Sequence, residues 1–573
     1  MTNDLNIMVA GAAGQGLQTI GYVLAKIFVR GGGRVFAGQE IQSRIRGGHN
    51  TFQLRVSRIP VKTLALPLDI LVALDQQSID KHLGELHDGG LVLFDSEQSR
   101  GIEGDPRFLG LPLERLAVET GGRALFSNSV AVGGIMAVLG WEVGRMDDFF
   151  QEYYSDKPEA ARGNAQAARA GYEYVVKQAP VYRGARIAAE KSEPRLLITG
   201  HEAVSLGALV AGCRFMSAYP MSPSTGIMVY LAGKADEFGL VVEQAEDEIA
   251  AVNMAIGASF AGVRSLTATS GGGFSLMVEA LGLAGITETP LVIVNGQRPG
   301  PSTGMATKTA QADLLFTLHA GQDEFPRLIL APGDARQAFH GTIKAFDLAE
   351  KYQIPAIILT EHYFANSYFT EDRFDVSGLA LERHLLTPEQ AAGIKQYKRY
   401  LLTDSGISPR AVPGQFPLEI GVDSHEHDEV GHISEDPRMR IAQMDKRLRK
   451  MDGLAREISP PLVFGDAGAE LALVGWGATL GALEEAVRTL NEDGLSVKGV
   501  IFSELWPFPR EAALGLLEGV SRWFAVEGNY SGQLAHLMQM EILKKPDGFI
   551  RKFTGRPFTP AEIVDSFKRE VLQ

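Results

Sequence analysis

The residues best suited to chemistry cluster between 219 and 309. Glu243-Gln-Ala-Glu246-Asp247-Glu248 runs directly into Ile249 to Gly262, a helical pattern built almost wholly of small and apolar residues. Carboxylates at a helix start gain from the dipole. Burying one of them against apolar walls would raise its pKa, letting it hold and pass a proton near neutrality. Glu246, Asp247 and Glu248 share the turn, and the plain alternative is an acidic turn that caps a core helix. Downstream, Arg298 follows a strand at Leu291–Val294, a position from which a side chain faces a ligand. Its planar fork suits a carboxylate. Thr307 and Lys308 add a hydroxyl and a cation in a polar loop. Upstream, Tyr219-Pro220-Met221-Ser222-Pro223-Ser224 presents hydroxyls, and its two prolines predict an extended loop.

These groups need α/β elements to position them. Residues 5–10 read as a strand that enters Gly11-Ala-Ala-Gly14-Gln15-Gly16 and then a helix from Leu17 to Arg30. The order G-x-x-G-x-G, with no acid ending the next strand at Arg34–Ala37, does not match a dinucleotide fingerprint. Arg44 and Arg46 beside Gly47-Gly48 suit a phosphate, or else form a solvated packing loop. Strands are expected at Ile70–Leu74, Leu91–Phe94 and Arg123–Phe126, and helices at Val130–Leu139 and Glu159–Gln178. A polar stretch over 185–195 reads as a linker. A second α/β domain spans 196–400 and a connecting segment 401–460. The connecting segment holds His425-Glu426-His427-Asp428-Glu429. Without a helical H-x-x-x-H, and with Glu426 pointing away from both histidines in a strand, this predicts a solvated or substrate-covering loop and no metal site. The Lys- and Arg-rich helix around Ile441–Glu457 reads as surface. A last α/β domain covers 461–573, where Glu527 and Asn529 at a strand end are assigned structural roles. The fold class is thus three α/β domains, with residues 1–184 forming the first.

Bulk properties narrow the function. At 573 residues several cores are expected. A net charge of -14 argues against nucleic acid or an anionic membrane. No apolar run reaches membrane-spanning length and no basic leader precedes Leu5, so a cytoplasmic location is expected. Cys213 is the single cysteine, which excludes a self-contained iron–sulfur cluster and suits a small buried hydrophobe.

Together these motifs resemble the alpha subunit of 2-oxoacid:ferredoxin oxidoreductases. Glu248 lies nine residues before Gly257 and fourteen before Gly262, the family's spacing for the glutamate that hydrogen-bonds the aminopyrimidine of thiamine diphosphate. The resemblance implies the same role for Glu248, with Tyr219 and Pro220 beside the cofactor. The family's Tyr-Pro-Ile-Thr-Pro-Ser becomes Tyr-Pro-Met-Ser-Pro-Ser here, placing Ser222 where a threonine contacts the 2-oxoacid carboxylate. The stretch Gln297-Arg298-Pro-Gly-Pro-Ser-Thr-Gly implies substrate contacts for Arg298 and Thr307, and for Lys308. Gly14-Gln15-Gly16 with Arg46 resembles a fused gamma domain and implies coenzyme A. The last domain resembles the transketolase C-terminal domain, which is structural and aids assembly. No Gly-Asp-Gly followed by Asn is present to hold a diphosphate. The resemblance therefore implies a beta subunit carrying the diphosphate and Mg2+ site and a [4Fe-4S] cluster, an (αβ)2 heterotetramer and ferredoxin as electron acceptor. The implied reaction is reversible oxidative decarboxylation of a 2-oxoacid, 2-oxoglutarate first among candidates, to an acyl-CoA. Other readings are a component of an NAD-linked dehydrogenase or ligase that uses thiamine diphosphate, and a non-catalytic assembly subunit.

Overall fold

The computed structural model describes residues 4–42, 47–178, 187, 189–190 and 192–572. The chain divides into two compact units, Met1–Ile198 with Ser367–Phe374, and Thr199–Asn366 with Asp375–Gln573. Each is α/β, as the alternation of apolar strands and amphipathic helices dictates.

In the first unit, Leu5–Ala13 is buried at its apolar positions and leads through Gly14 (φ 97°) and Gly16 (φ 77°) into the helix Leu17–Arg30. Its mixed sheet has the order Phe108–Leu111, Leu86–Asp95, Leu68–Ala73, Leu5–Ala13, Gly47–Ser57, Arg34–Glu40, Tyr368–Glu371, Leu196–Thr199. The strand Tyr368–Glu371 is supplied from far along the chain. Thr370 Oγ1 accepts from Val35 N at 2.8 Å, and Asp372 pairs with both Arg34 and Arg195. The expected strand at Arg123–Phe126 is instead a 3-10 turn, Ala124–Phe126, which runs into the helix Ser127–Val138. So short an apolar run reads alike as strand or turn. In the expected linker, residues 185, 186, 188 and 191 lie outside the described residues. Ile187 is buried and its carbonyl accepts from Trp141 Nε1 at 2.9 Å.

The second unit holds two sheets. In the larger, Leu328–Leu330, Pro355–Glu361, Leu291–Gln297, Ser265–Thr269, Phe215–Ala218 and Val241–Gln244 are parallel neighbours. Glu504–Trp506 adds one antiparallel edge strand. The smaller sheet has the order Leu462–Gly465, Val497–Phe502, Leu471–Trp476, Arg522–Glu527, Gly548–Arg551. One apolar core joins the two, running from Val252, Phe274 and Ile293 to Trp476, Phe502 and Leu534.

Two expectations for the connecting segment hold only in part. The basic helix, Pro437–Ala455, is a surface on one side only: Arg438 and Arg449 are exposed, but Gln443, Lys446, Arg447 and Lys450 are buried. Lys446 Nζ lies 2.5 Å from Glu288 Oε1, and Lys450 pairs with the same carboxylate. Burial would raise the Glu288 carboxyl, but Lys450, Lys446 and Arg399 outweigh it and hold it well below the usual carboxylate range. Within His425–Glu429, His425 is exposed, as in a solvated loop, but Glu426 and His427 are not. Glu426 receives Arg440 at 2.6 Å and Arg447 at 2.7 Å, and His427 is fully buried with its ring 3.9 Å from that of Tyr400. Charged side chains tolerate such burial when paired and hydrogen-bonded. No described helix is long and apolar enough to cross a membrane.

Candidate active site

Asp247 takes the extended N-cap conformation, and its Oδ1 accepts from Ala250 N at 2.8 Å. That satisfies the helix start and leaves Glu248, the first helical residue, free for another task. Glu246 is exposed, whereas Glu248 is 4% exposed and its Oε1 has no hydrogen-bond partner among the described residues. A buried, unpartnered carboxylate oxygen is costly unless a ligand supplies the partner. Facing it is the start of the helix Gly271–Ile286. A Cβ on Gly273 would overlap Thr269 Oγ1 and lie 2.5 Å from Glu248 Oε1, so only glycine leaves the carboxylate its room.

The neighbouring strand ends add polar groups that sequence reading missed. Thr269 and Asn295 are parallel partners at the carboxyl ends of their strands. Asn295 Oδ1 and Ser270 Oγ are buried and likewise lack hydrogen-bond partners. Asn295 Nδ2 donates to Asp313 Oδ2 at 3.2 Å, and Asp313 N donates to Gln297 Oε1 at 2.9 Å. Burial pushes the Asp313 carboxyl up to about 6 against the opposing Asn295 bond. The available signal was an Asn and a Gln at the end of an otherwise apolar strand, the place where α/β sheets put ligand-facing groups.

Arg298 and Ser222 meet, but through the backbone: Arg298 Nη1 donates to Ser222 O at 2.6 Å. The 219–226 segment is not extended. Ser224 N donates to Met221 O at 2.8 Å, forming a turn into the helix Thr225–Ala232. Tyr219 and Ser222 are exposed, and Pro220, Thr307 and Lys308 half-buried. Two histidines not foreseen lie close by. His201 Nε2 is hydrogen-bonded to Pro223 O, and burial holds that ring down at about 4. His362 is also held at about 4, first by burial and then by His201, Lys308 and Arg298, which gathers two neutral imidazoles and two cations in one neighbourhood. Behind Lys308, Thr309 Oγ1 donates to Glu361 Oε2 at 2.7 Å, and burial lifts Glu361 to about 7.

In the first unit, Gln15 Oε1 accepts from Ala12 N at 2.7 Å within the Gly14–Gly16 turn. Arg46 lies outside the described residues.

A buried acid, with Arg298, Lys308 and two neutral histidines at the carboxyl ends of a parallel sheet, is the arrangement of a ligand site in an α/β enzyme. Three family models match in succession. Residues 6–174 match pyruvate ferredoxin/flavodoxin oxidoreductase, and residues 206–446 match the thiamine-diphosphate-binding domain of pyruvate flavodoxin/ferredoxin oxidoreductase. Residues 469–563 match core domain II of pyruvate:ferredoxin oxidoreductase. The chain is 32% identical to subunit alpha of 2-oxoacid:ferredoxin oxidoreductase 2 from Aeropyrum pernix, over 99% of this chain and 97% of that one. It is 30% identical to the 2-oxoglutarate oxidoreductase subunit KorA of Mycobacterium tuberculosis, over 97% and 90%. Among solved structures, 2-oxoglutarate:ferredoxin oxidoreductase from Magnetococcus marinus with 2-oxoglutarate, coenzyme A and succinyl-CoA bound superposes with TM-score 0.92 and 30% identity, covering 99% of both chains. The chain belongs to the alpha subunits of the 2-oxoacid:ferredoxin oxidoreductases.

Proposed function

We propose that this chain is the alpha subunit of a cytoplasmic 2-oxoglutarate:ferredoxin oxidoreductase. The reaction converts 2-oxoglutarate and coenzyme A to succinyl-CoA and carbon dioxide, releases one proton and passes two electrons to ferredoxin. The observation that carries it is Glu248, buried and with Oε1 unpartnered at a helix start, opposite a glycine whose missing side chain leaves the carboxylate its room. Those residues fit the aminopyrimidine of thiamine diphosphate, and Tyr219 and Pro220 line its approach. When bound, the cofactor supplies the carbon that adds to the keto group and the sink for the electrons left as carbon dioxide departs. Glu248 holds and exchanges a proton at the pyrimidine. Arg298, Thr307 and Lys308, with the Ser222 loop tethered by Arg298, orient the two carboxylates of the substrate.

The reading places the diphosphate, Mg2+ and [4Fe-4S] cluster in a beta subunit, with ferredoxin as acceptor and an (αβ)2 assembly. In its support, Cys213 is fully buried, and burial pushes its thiol up to about 12, so it is no thiolate ligand. Ile249, Met254 and Leu276 leave an exposed apolar face on the two helices that frame Glu248, suited to a partner subunit. Coenzyme A is assigned to the Gly14-Gln15-Gly16 turn with Arg46. 2-Oxoglutarate is preferred because two of the relatives compared act on it by name and because its second carboxylate suits the Arg298 and Lys308 neighbourhood. The test is Glu248→Gln in the assembled enzyme. Coenzyme A-dependent acceptor reduction falls by at least about 100-fold while the partner still co-purifies. Full activity in that variant overturns the assignment.

A further inference from the structure

The run that follows the proposed 2-oxoacid loop is gripped from the C-terminal part of the same unit. Thr309 N donates to Gly555 O at 3.1 Å, and Gln311 N to Gly528 O at 2.9 Å. Gln311, 1% exposed, also donates Nε2 to Trp476 O at 2.8 Å and accepts from Gly528 N at 2.8 Å. A Cβ on Gly528 would lie 3.2 Å from Gln311 Cγ, closer than such atoms usually come, so a larger residue there would press on Gln311. Asn529 Nδ2 donates to Gln311 O at 3.0 Å. Gln533 donates Nε2 to Ala312 O at 2.7 Å, and its Oε1 accepts from Leu315 N at 3.0 Å.

The gripping residues are themselves fixed. Glu527 is fully buried and receives Trp476 Nε1 at 3.2 Å, Asn529 Nδ2 at 2.9 Å, Leu534 N at 2.9 Å and Ala535 N at 3.1 Å. It thereby caps the helix Gln533–Ile542 and orients both Asn529 and the start of that helix. Apolar packing already joins the two parts of the unit. Hydrogen bonds to backbone groups add what apolar contact lacks, a fixed direction and register for the segment they hold. The held run starts immediately after Lys308 and ends at Asp313, whose amide is anchored by Gln297. It therefore links the proposed substrate contacts to the acid beside the Glu248 site.

We propose that Asn529 and Gln533 are positioning residues for 2-oxoacid binding, fixing the 309–313 run through Gln311 and Ala312 and so the placement of Thr307 and Lys308. This rests on the reading that Thr307 and Lys308 contact the 2-oxoacid. A loop held in its bound geometry spends less of its binding energy on ordering, so release of the clamp weakens substrate binding more than it slows turnover at saturation.

The test uses the enzyme assembled with its partner, comparing wild type with Gln533→Leu, Gln533→Glu, Asn529→Ala and a remote core variant, Leu490→Ala. Gln533 is half-buried, so its variants keep the test alive if Asn529→Ala does not fold. Losing one or two such bonds raises the KM for 2-oxoglutarate on the order of 10-fold in Gln533→Leu. Maximal turnover stays within about twofold, and the KM for coenzyme A is unchanged. Gln533→Glu retains the acceptor for Leu315 N and falls between. Leu490→Ala, in the core of the smaller sheet, lowers thermal stability and leaves the 2-oxoglutarate KM alone. An active wild type with an unchanged KM in Gln533→Leu and Asn529→Ala overturns the proposal, as does an equal KM shift in Leu490→Ala. A wild type that oxidises no 2-oxoacid overturns the functional reading and this proposal with it.

Discussion

Replacing Glu288 by Gln removes the one carboxylate between two buried ammonium groups. Glu288, Lys446 and Lys450 are each 1% exposed in their side chains, so solvent cannot take over the lost interaction. Lys450 Nζ would keep Gln353 O at 3.3 Å and Lys446 the face of Tyr400, 5.4 Å from the ring centre, and the new amide offers a single uncharged oxygen in place of the carboxylate's two. Removing one member of a buried charged group costs about 3–5 kcal/mol. In a unit of this size that is a fall in Tm of roughly 4–7 °C. Burial already lowers Lys450 to about 8 even with Glu288 opposing it, and without Glu288 both amines fall further. A lysine whose folded pKa lies below its unfolded value binds fewer protons when folded, so stability rises as pH climbs through that window. The deficit of Glu288→Gln relative to wild type is therefore larger at pH 7 than at pH 9. Calorimetry and urea unfolding at both pH values measure it. Replacing all three groups together, Glu288→Gln with Lys446→Met and Lys450→Met, recovers part of the loss, because the two ammonium groups are gone while Arg399, 2% exposed, still lacks the carboxylate and keeps only carbonyl and amide oxygens. A deficit below about 1 kcal/mol, the scale of an exposed pair, refutes the reasoning, as does a deficit that widens with pH.

Arg298→Lys loses the planar fork and the hold on Ser222 O, and raises the KM for the 2-oxoacid about 10-fold or more in steady-state kinetics. Gly273→Ala drives a methyl into Thr269 Oγ1 and Glu248 Oε1, lowering stability by about 1–3 kcal/mol and releasing thiamine diphosphate more readily on gel filtration. Glu361, lifted to about 7 from an ordinary 4.5, binds a proton in the folded state that the unfolded chain has lost, so its contribution falls as pH rises through that interval. Glu361→Gln removes this slope and gains on wild type by at most about 3 kcal/mol between pH 5 and pH 8, measured by urea unfolding.

The site was legible where local chemistry marked it. An acidic turn before a helix of small residues pointed to Glu248, although three adjacent acids looked alike in sequence. Spacing to Gly257 and Gly262 singled out Glu248 by resemblance, and the cap made by Asp247 and the exposure of Glu246 separate them physically. Asn295, Asp313, His201 and His362 were missed because each lies on a different element and gains its setting only when the parallel strands align. Asp313 in particular sits in a polar stretch that reads as loop. The basic helix misled for a related reason. Lys446, Arg447 and Lys450 look like a solvated face until Glu288 and Glu426, far away in sequence, supply buried partners. Periodicity reports which residues share a face, not what covers it.

The most direct test is the reaction itself, followed with the chain and its partner purified together without oxygen. Coenzyme A-dependent reduction of an electron acceptor is measured with 2-oxoglutarate and, in parallel, with pyruvate. The account predicts reduction with 2-oxoglutarate that requires coenzyme A, exceeds that with pyruvate by about 10-fold in kcat/KM, and accompanies an iron–sulfur-bearing partner. No reduction with either acid, despite bound thiamine diphosphate and an intact partner, would contradict it.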